Sequence, residues 1–177
     1  GVVDTDMLAA NAVTAAKAVG SVKGITEFDT YHLSISITAD VDPIASNIVR
    51  SAFTGSSSQI GTGMTQNSGI WTFPSTGKYL VIVSAQFNLH GSDAIVVDTY
   101  VTTNNGTSYS AAARAIDGCN GTGTRQGNGF SLAFLDVTDT SQVKVKFAVG
   151  SIGTSSSVSG NNNFRTTTFT FVKIGDT

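Results

Sequence analysis

From Phe28 onward, hydrophobic and polar residues alternate with a period of two, and the alternation returns through the chain with little interruption. In residues 29–38, Tyr31, Leu33, Ile35 and Ile37 alternate with Thr30, His32, Ser34, Ser36 and Thr38. That pattern predicts a half-buried strand with His32 on its polar face. In 79–89, Tyr79, Val81, Val83, Ala85, Phe87 and Leu89 share one face, and in 130–135 Phe130, Leu132 and Phe134 share one. Val143, Val145, Phe147 and Val149 alternate with Lys144, Lys146 and Ala148, so this strand has a dry face and a wet face. Segments 95–103 and 107–116 flank Asn104, Asn105 and Gly106, and an Asn-Gly pair between alternating segments predicts a hairpin. The closing segment 164–174 sets Phe169 and Phe171 against Thr168, Thr170, Val172 and Ile174. It carries apolar groups on both sides, so one face needs cover beyond its own core. The Gly-, Ser- and Asn-rich stretches 54–69, 117–129 and 150–163 are expected as loops. About eight strands joined by turns predict an all-β, antiparallel sandwich, with a jelly roll as the leading architecture.

Residues 1–28 break this pattern. Asp4 to Val19 is alanine-rich, opens with cap-type Asp and Thr residues, and places Leu8, Ala12, Ala15 and Val19 on one helical stripe. So thin a stripe cannot hold a helix to a core, and isolated helices of this length are marginal in water. The expectation is a short helical or extended stalk that needs partner chains, with a frayed arm as the alternative. The chain therefore divides into an attachment arm, 1–28, and a knob, 29–177.

Composition narrows the function. Only 12% of the 177 residues are charged, against roughly a quarter in an ordinary globular protein, and the polarity comes from 19 Gly, 24 Thr, 21 Ser and 11 Asn. A net charge of −2, with Lys and Arg scattered, offers nothing to a nucleic acid backbone. The single cysteine, Cys119, makes no internal disulfide, so stability must come from packing or assembly. Apolar runs are interrupted every few residues, which argues against membrane insertion, and the first 20 residues do not read as a secretory leader.

Motifs of catalysis are missing from the sequence: there is no nucleophile elbow, Walker loop, dinucleotide fingerprint or zincin helix. The Gly-rich run Gly118–Gly129 leads into a strand, whereas phosphate cradling needs a helix N-terminus. His32 and His90 stand without metal-ligand spacing, and the pairs Asp40 with Asp42 and Asp136 with Asp139 read as turn residues. Asn105-Gly106-Thr107 and Asn120-Gly121-Thr122 match the glycosylation pattern but read as turns. Tyr100 and Tyr109 flank the hairpin as a possible sugar platform, with cross-strand packing preferred. A glycan hydrolase would need paired carboxylates across a cleft, and none can be assigned. No enzyme, cofactor or metal is expected.

The run WTFPSTGKYLVIV, Trp71 to Val83, resembles the signature of C1q/tumour-necrosis-factor-like domains, with Trp71, Gly77 and Tyr79 at the family spacing. DTDMLAANAVTAAK, ITEFDTYHLS, DPIASNIVRS, IGTGM, GIWTFPSTGKYL, LDVTDTSQVKVKF and FVKIGDT are similar to structural proteins of marine bacteriophages, in which a low-complexity stalk leads into a C1q-like knob. That resemblance implies a homotrimeric, non-enzymatic virion surface protein. Its expected role is a fibre or appendage knob for attachment to host surface glycan or protein, and the alternative is a head fibre or capsid-decorating protein. The arm would dock on other virion proteins. Candidate interface or core residues are Leu8, Ala12, Ala15, Val19, Tyr79, Phe169, Phe171 and Val172. Candidate surface-binding residues on the loops are Gln59, Asn67, Asn120, Arg125 and Asn161.

Overall fold

The computed structural model describes residues 24–50, 53 and 55–177. Among these the regular elements are all strands: β1 (Phe28–Leu33), β2 (Ile48–Arg50), β3 (Gln59–Ile60), β4 (Thr65–Asn67), β5 (Ile70–Thr72), β6 (Gly77–His90), β7 (Ala94–Thr102), β8 (Ser110–Gly118), β9 (Thr124–Val137), β10 (Lys144–Gly150), β11 (Ser157–Val158) and β12 (Thr168–Gly175). Every pairing is antiparallel. One sheet runs β9, β6, β12, β1, with β11 also on β6 and the short β2 and β3 on the far side of β1. The other runs β4, β5, β10, β7, β8. Leu8, Ala12, Ala15 and Val19, the proposed stalk stripe, lie outside the described residues.

The core forms where the inward residues of the two sheets meet. Along β6, Tyr79, Val81, Val83, Ala85, Phe87 and Leu89 are all buried, as strict period-two alternation requires. Trp71 of β5 sits among aromatic rings, 4.5 Å from Tyr31, 5.3 Å from Phe171 and 6.1 Å from Phe147, so both sheets share one cluster. The hairpin between β7 and β8 turns with Asn105 and Gly106 at positive φ, the geometry an Asn-Gly pair allows at low cost. The segment after β1 changes sheets: Ile37 bridges to Val158 beside β6, and Val41 to Val149 in β10.

Three sequence expectations are corrected. β1 ends at Leu33 rather than continuing to residue 38, and Ile35 is exposed. There the backbone of Ile35 passes so close to Gly160 that a Cβ on the glycine would overlap it. Nor is β1 half-buried: Asp29, Thr30 and His32 are buried along with Tyr31 and Leu33, so His32 is not on a solvated face. The covering groups are remote in sequence, including Phe53, whose ring lies 5.1 Å from His32. Finally, 117–129 is mostly strand, since β8 reaches Gly118 and β9 starts at Thr124. Gly127 and Gly129 are strand residues at a close approach, a Cβ on Gly129 lying 2.9 Å from the Ile116 nitrogen of β8, whereas Gly121 and Gly123 stay in the connection at positive φ.

Register fixes two ends. His90 of β6 faces Thr124, so 91–93 and 119–123 lie at one end, with Ser156 beside His90. Gly77 faces Val137 at the other, where Gly24, Thr26, Ser75, Gly175 and Asp176 border a common cleft.

Candidate functional site

Three buried or half-buried ionic clusters serve the fold. The Asp29 carboxylate, 1% exposed, takes Arg50 Nε at 2.9 Å and Nη2 at 2.8 Å, the Met64 amide at 2.7 Å and the Tyr31 hydroxyl at 3.0 Å. This fork binds β1 to β2 and to the chain before β4, and both oxygens of the buried anion accept hydrogen bonds. Burial, then the Asp29 charge, push the Tyr31 phenol up, so it stays a proton donor. Asp98 on β7 is held by a second fork from Arg114 on β8, at 2.6 and 2.8 Å. Lys146 pairs with Asp42 at 2.6 Å, and its ammonium lies 5.2 Å from the Tyr100 ring centre and 4.8 Å from that of Tyr109. These two rings are thus engaged by the chain's own lysine. Among the described residues no group of three or more His, Cys, Asp or Glu is placed to hold a metal ion.

Of the carboxylates read as turn residues, Asp139 keeps that role, whereas Asp136 is a β9 strand residue and Asp40 bonds to distant chain. Asp40 Oδ1 accepts the Ile152 amide, Asp136 pairs with Lys78, and Asp139 accepts the Ser141 amide. His90 is exposed near the Thr124 hydroxyl.

The unusual surface is the outward face of β6 and β9. Period-two alternation turns Lys78, Leu80, Ile82, Ser84, Gln86, Asn88 and His90 outward on β6, and register places each opposite one β9 residue. Starting at the Gly77 end, the rungs are Lys78–Asp136, Leu80–Phe134, Ile82–Leu132, Ser84–Phe130, Gln86–Asn128, Asn88–Gln126 and His90–Thr124. Phe130, Leu132 and Phe134 are 64%, 46% and 58% exposed. Beyond β6, Val172 of β12 stands beside Leu80, half-buried, and Ile174 is exposed. Meanwhile the inward residues of β9 are Gly127, Gly129, Ser131, Ala133, Leu135 and Val137. The larger side chains of β9's central run therefore point away from the core. Contiguous exposed apolar surface of this kind marks an interaction site.

Comparison by sequence finds no matching family model and no matching curated protein. Comparison of folds finds several. The Eiger TNF protein from S. frugiperda superposes with a TM-score of 0.60 at 18% identity, covering 85% of this chain and 93% of that one. Murine APRIL at pH 5.0 gives 0.57 at 11% identity, covering 83% and 98%; at pH 8.5 it gives 0.54 at 13%, with the same coverage. The chain folds as a TNF-like jelly roll.

On this jelly roll the sequence-predicted residues separate. Tyr79, Phe169 and Phe171 lie in the core of the single chain, and Val172 lies on the outward face. Gln59 spends its amide on the carbonyls of Gly61 and Thr62, and Asn67 is an exposed β4 residue. Arg125 is pinned to Asp117 at 2.5 Å; that carboxyl is desolvated, which raises its pKa, but the Arg125 bond and nearby amides outweigh this and leave it lowered. Asn120 and Arg125 share the His90 end, whereas Gln59 pairs with Asp29 toward the opposite end. The five candidates are therefore not one site. Residues the loop reading missed are Gln86, Asn88, Gln126 and Phe164, which border a cleft with Asn161. The outward positions of β6, next to each core residue in the alternation, were the available signal for the first two.

Proposed function

We propose that this jelly roll is a non-enzymatic surface knob that assembles as a parallel homotrimer through the apolar rungs of β9, β6 and β12, and that it serves a phage particle as a fibre or appendage knob for attachment to a host surface. The observation that carries the assembly is the outward Phe130, Leu132 and Phe134 row, in register with Leu80 and Ile82 and continued by Val172. A neighbouring copy covers such a face by removing apolar area from water, and low charge with no internal disulfide makes assembly a source of durability. The particle role rests on the resemblance of 1–28 and of the strand motifs to marine phage structural proteins. Polarity supports it: Gly24 lies at the Gly77 end, so an arm attached there leaves 91–93 and 119–123 at the far end.

Gold-labelled antibody on purified parent particles tests the role. Label at tail tips or appendages is the expected result. Label spread over the capsid replaces attachment with decoration, and particles without label overturn both.

A further inference from the structure

Above the apolar rungs the same sheet face changes character. The next two rungs, Gln86–Asn128 and Asn88–Gln126, are side-chain amides, and beside them the loop 159–167 rises to form a cleft of about 410 Å³. Gln86, Asn88, Gln126, Ser159, Asn161 and Phe164 are among its walls, and none of its lining residues is charged. Phe164 is 57% exposed. The wall is fixed by backbone bonds on two sides: the Ser159 amide donates to the Gln86 carbonyl at 2.8 Å, and the Asn161 amide to the Leu33 carbonyl at 2.8 Å. Gly160 donates to Ser36 Oγ at 3.1 Å, at the approach that only a glycine permits. Asn88 is oriented in turn, its Nδ2 donating to Ser159 Oγ at 2.9 Å. The side-chain amides of Gln86 and Gln126 make no hydrogen bond among the described residues.

We infer that this cleft is a binding site for neutral oligosaccharide. A pyranose ring presents an apolar C–H face and a rim of hydroxyls, each able to donate and accept. An exposed phenyl ring answers the first, and side-chain amides, with donors and an acceptor apiece, answer the second. The absence of charge from the lining disfavours phosphate, sulfate and charged peptide, which would surrender strong hydration without an ionic partner. A wall already held by backbone bonds loses little freedom on binding. The inference rests on the assembly proposed above, since the amide rungs begin where the apolar contact ends. Three such clefts on one trimer would multiply weak single-site affinity by about 10² on a repetitive surface.

The test uses the full chain on an array of immobilised neutral hexose and N-acetylhexosamine oligosaccharides, with sulfated oligosaccharides alongside and oligomer mass measured on the same samples. The expected result is binding to neutral glycans that Phe164→Ala and Gln126→Ala each weaken by about tenfold, roughly the loss of 50–60 Å² of apolar contact or of one well-placed hydrogen bond. Assembly should be unchanged in both variants. Intact trimers that bind no neutral glycan overturn the site, as does binding that both variants retain or that prefers the sulfated forms. A monomeric chain that still binds neutral glycan through Phe164 keeps the site and overturns the assembly instead.

Discussion

Replacing Phe134 with serine removes a ring that the single chain leaves 58% exposed, so its cost falls on assembly rather than on folding. Of about 200 Å² for a phenylalanine side chain, that fraction is about 115 Å², and burying it against a neighbour contributes about 2–3 kcal/mol per subunit. Three copies of the change then weaken a trimer by about 6–9 kcal/mol. The concentration of half-dissociation varies as the square root of the trimer dissociation constant, so it should rise by about 10²–10³-fold. Dilution series followed by light scattering on a sizing column measure that concentration directly, with circular dichroism showing that the sheet content is retained. Ile116→Ser is the matched control, because Ile116 is 53% exposed on the other sheet. Equal behaviour of the two variants, or a Phe134→Ser protein as fully assembled as the parent at every dilution, would refute the reasoning.

Other changes act on the fold and are read at fixed chain concentration. Arg50→Ala leaves the buried Asp29 carboxylate without its cation and should cost about 2–4 kcal/mol in urea unfolding, below the fully buried range because Arg50 is partly solvated; a loss under about 0.5 kcal/mol contradicts this. Arg114→Ala should cost less, its guanidinium being more exposed. Burial, and then the Arg165 charge, hold the His32 pKa below 6.5, so its contribution is full above that value and is lost as pH falls through the folded pKa; the acid limb of stability should flatten in His32→Gln, and an unchanged limb argues against it. Gly160→Ala drives a methyl into the Ile35 backbone and should destabilise by about 1–3 kcal/mol, visible as a lowered melting temperature, whereas a neutral result would mean that the loop gives way freely. Phe171→Ala opens the aromatic core and should cost about 3–5 kcal/mol; unaltered denaturant midpoints would place that ring outside the core.

The sandwich was legible where one face of a strand meets the core and the other meets water. β6 shows this, because alternation there is unbroken, and β10 shows it as far as Phe147, after which Ala148, expected on the wet face, is buried as well. It failed where distant chain supplied the environment. His32 reads as polar-face because nothing local announces that Phe53 and Arg165 lie over it. Gly127 and Gly129 read as loop punctuation, while their cause is the approach of β8, a tertiary contact. The exposed apolar face shows the same limit. Alternation put Phe130, Leu132 and Phe134 on one face, but hydrophobicity alone assigns such a row to the core. Only register with β6 reveals that Ser131 and Ala133 turn inward. In 164–174 the two-sided pattern resolves into Phe169 and Phe171, which satisfy the core, and Val172 and Ile174, which stand at the margin of the exposed row.

The central claim is that this knob exists as three copies, and sedimentation equilibrium of the full chain at micromolar concentration tests it most directly. The account predicts a single species at three times the 18.2 kDa chain mass. A species that stays at the mass of one chain across that range would contradict it.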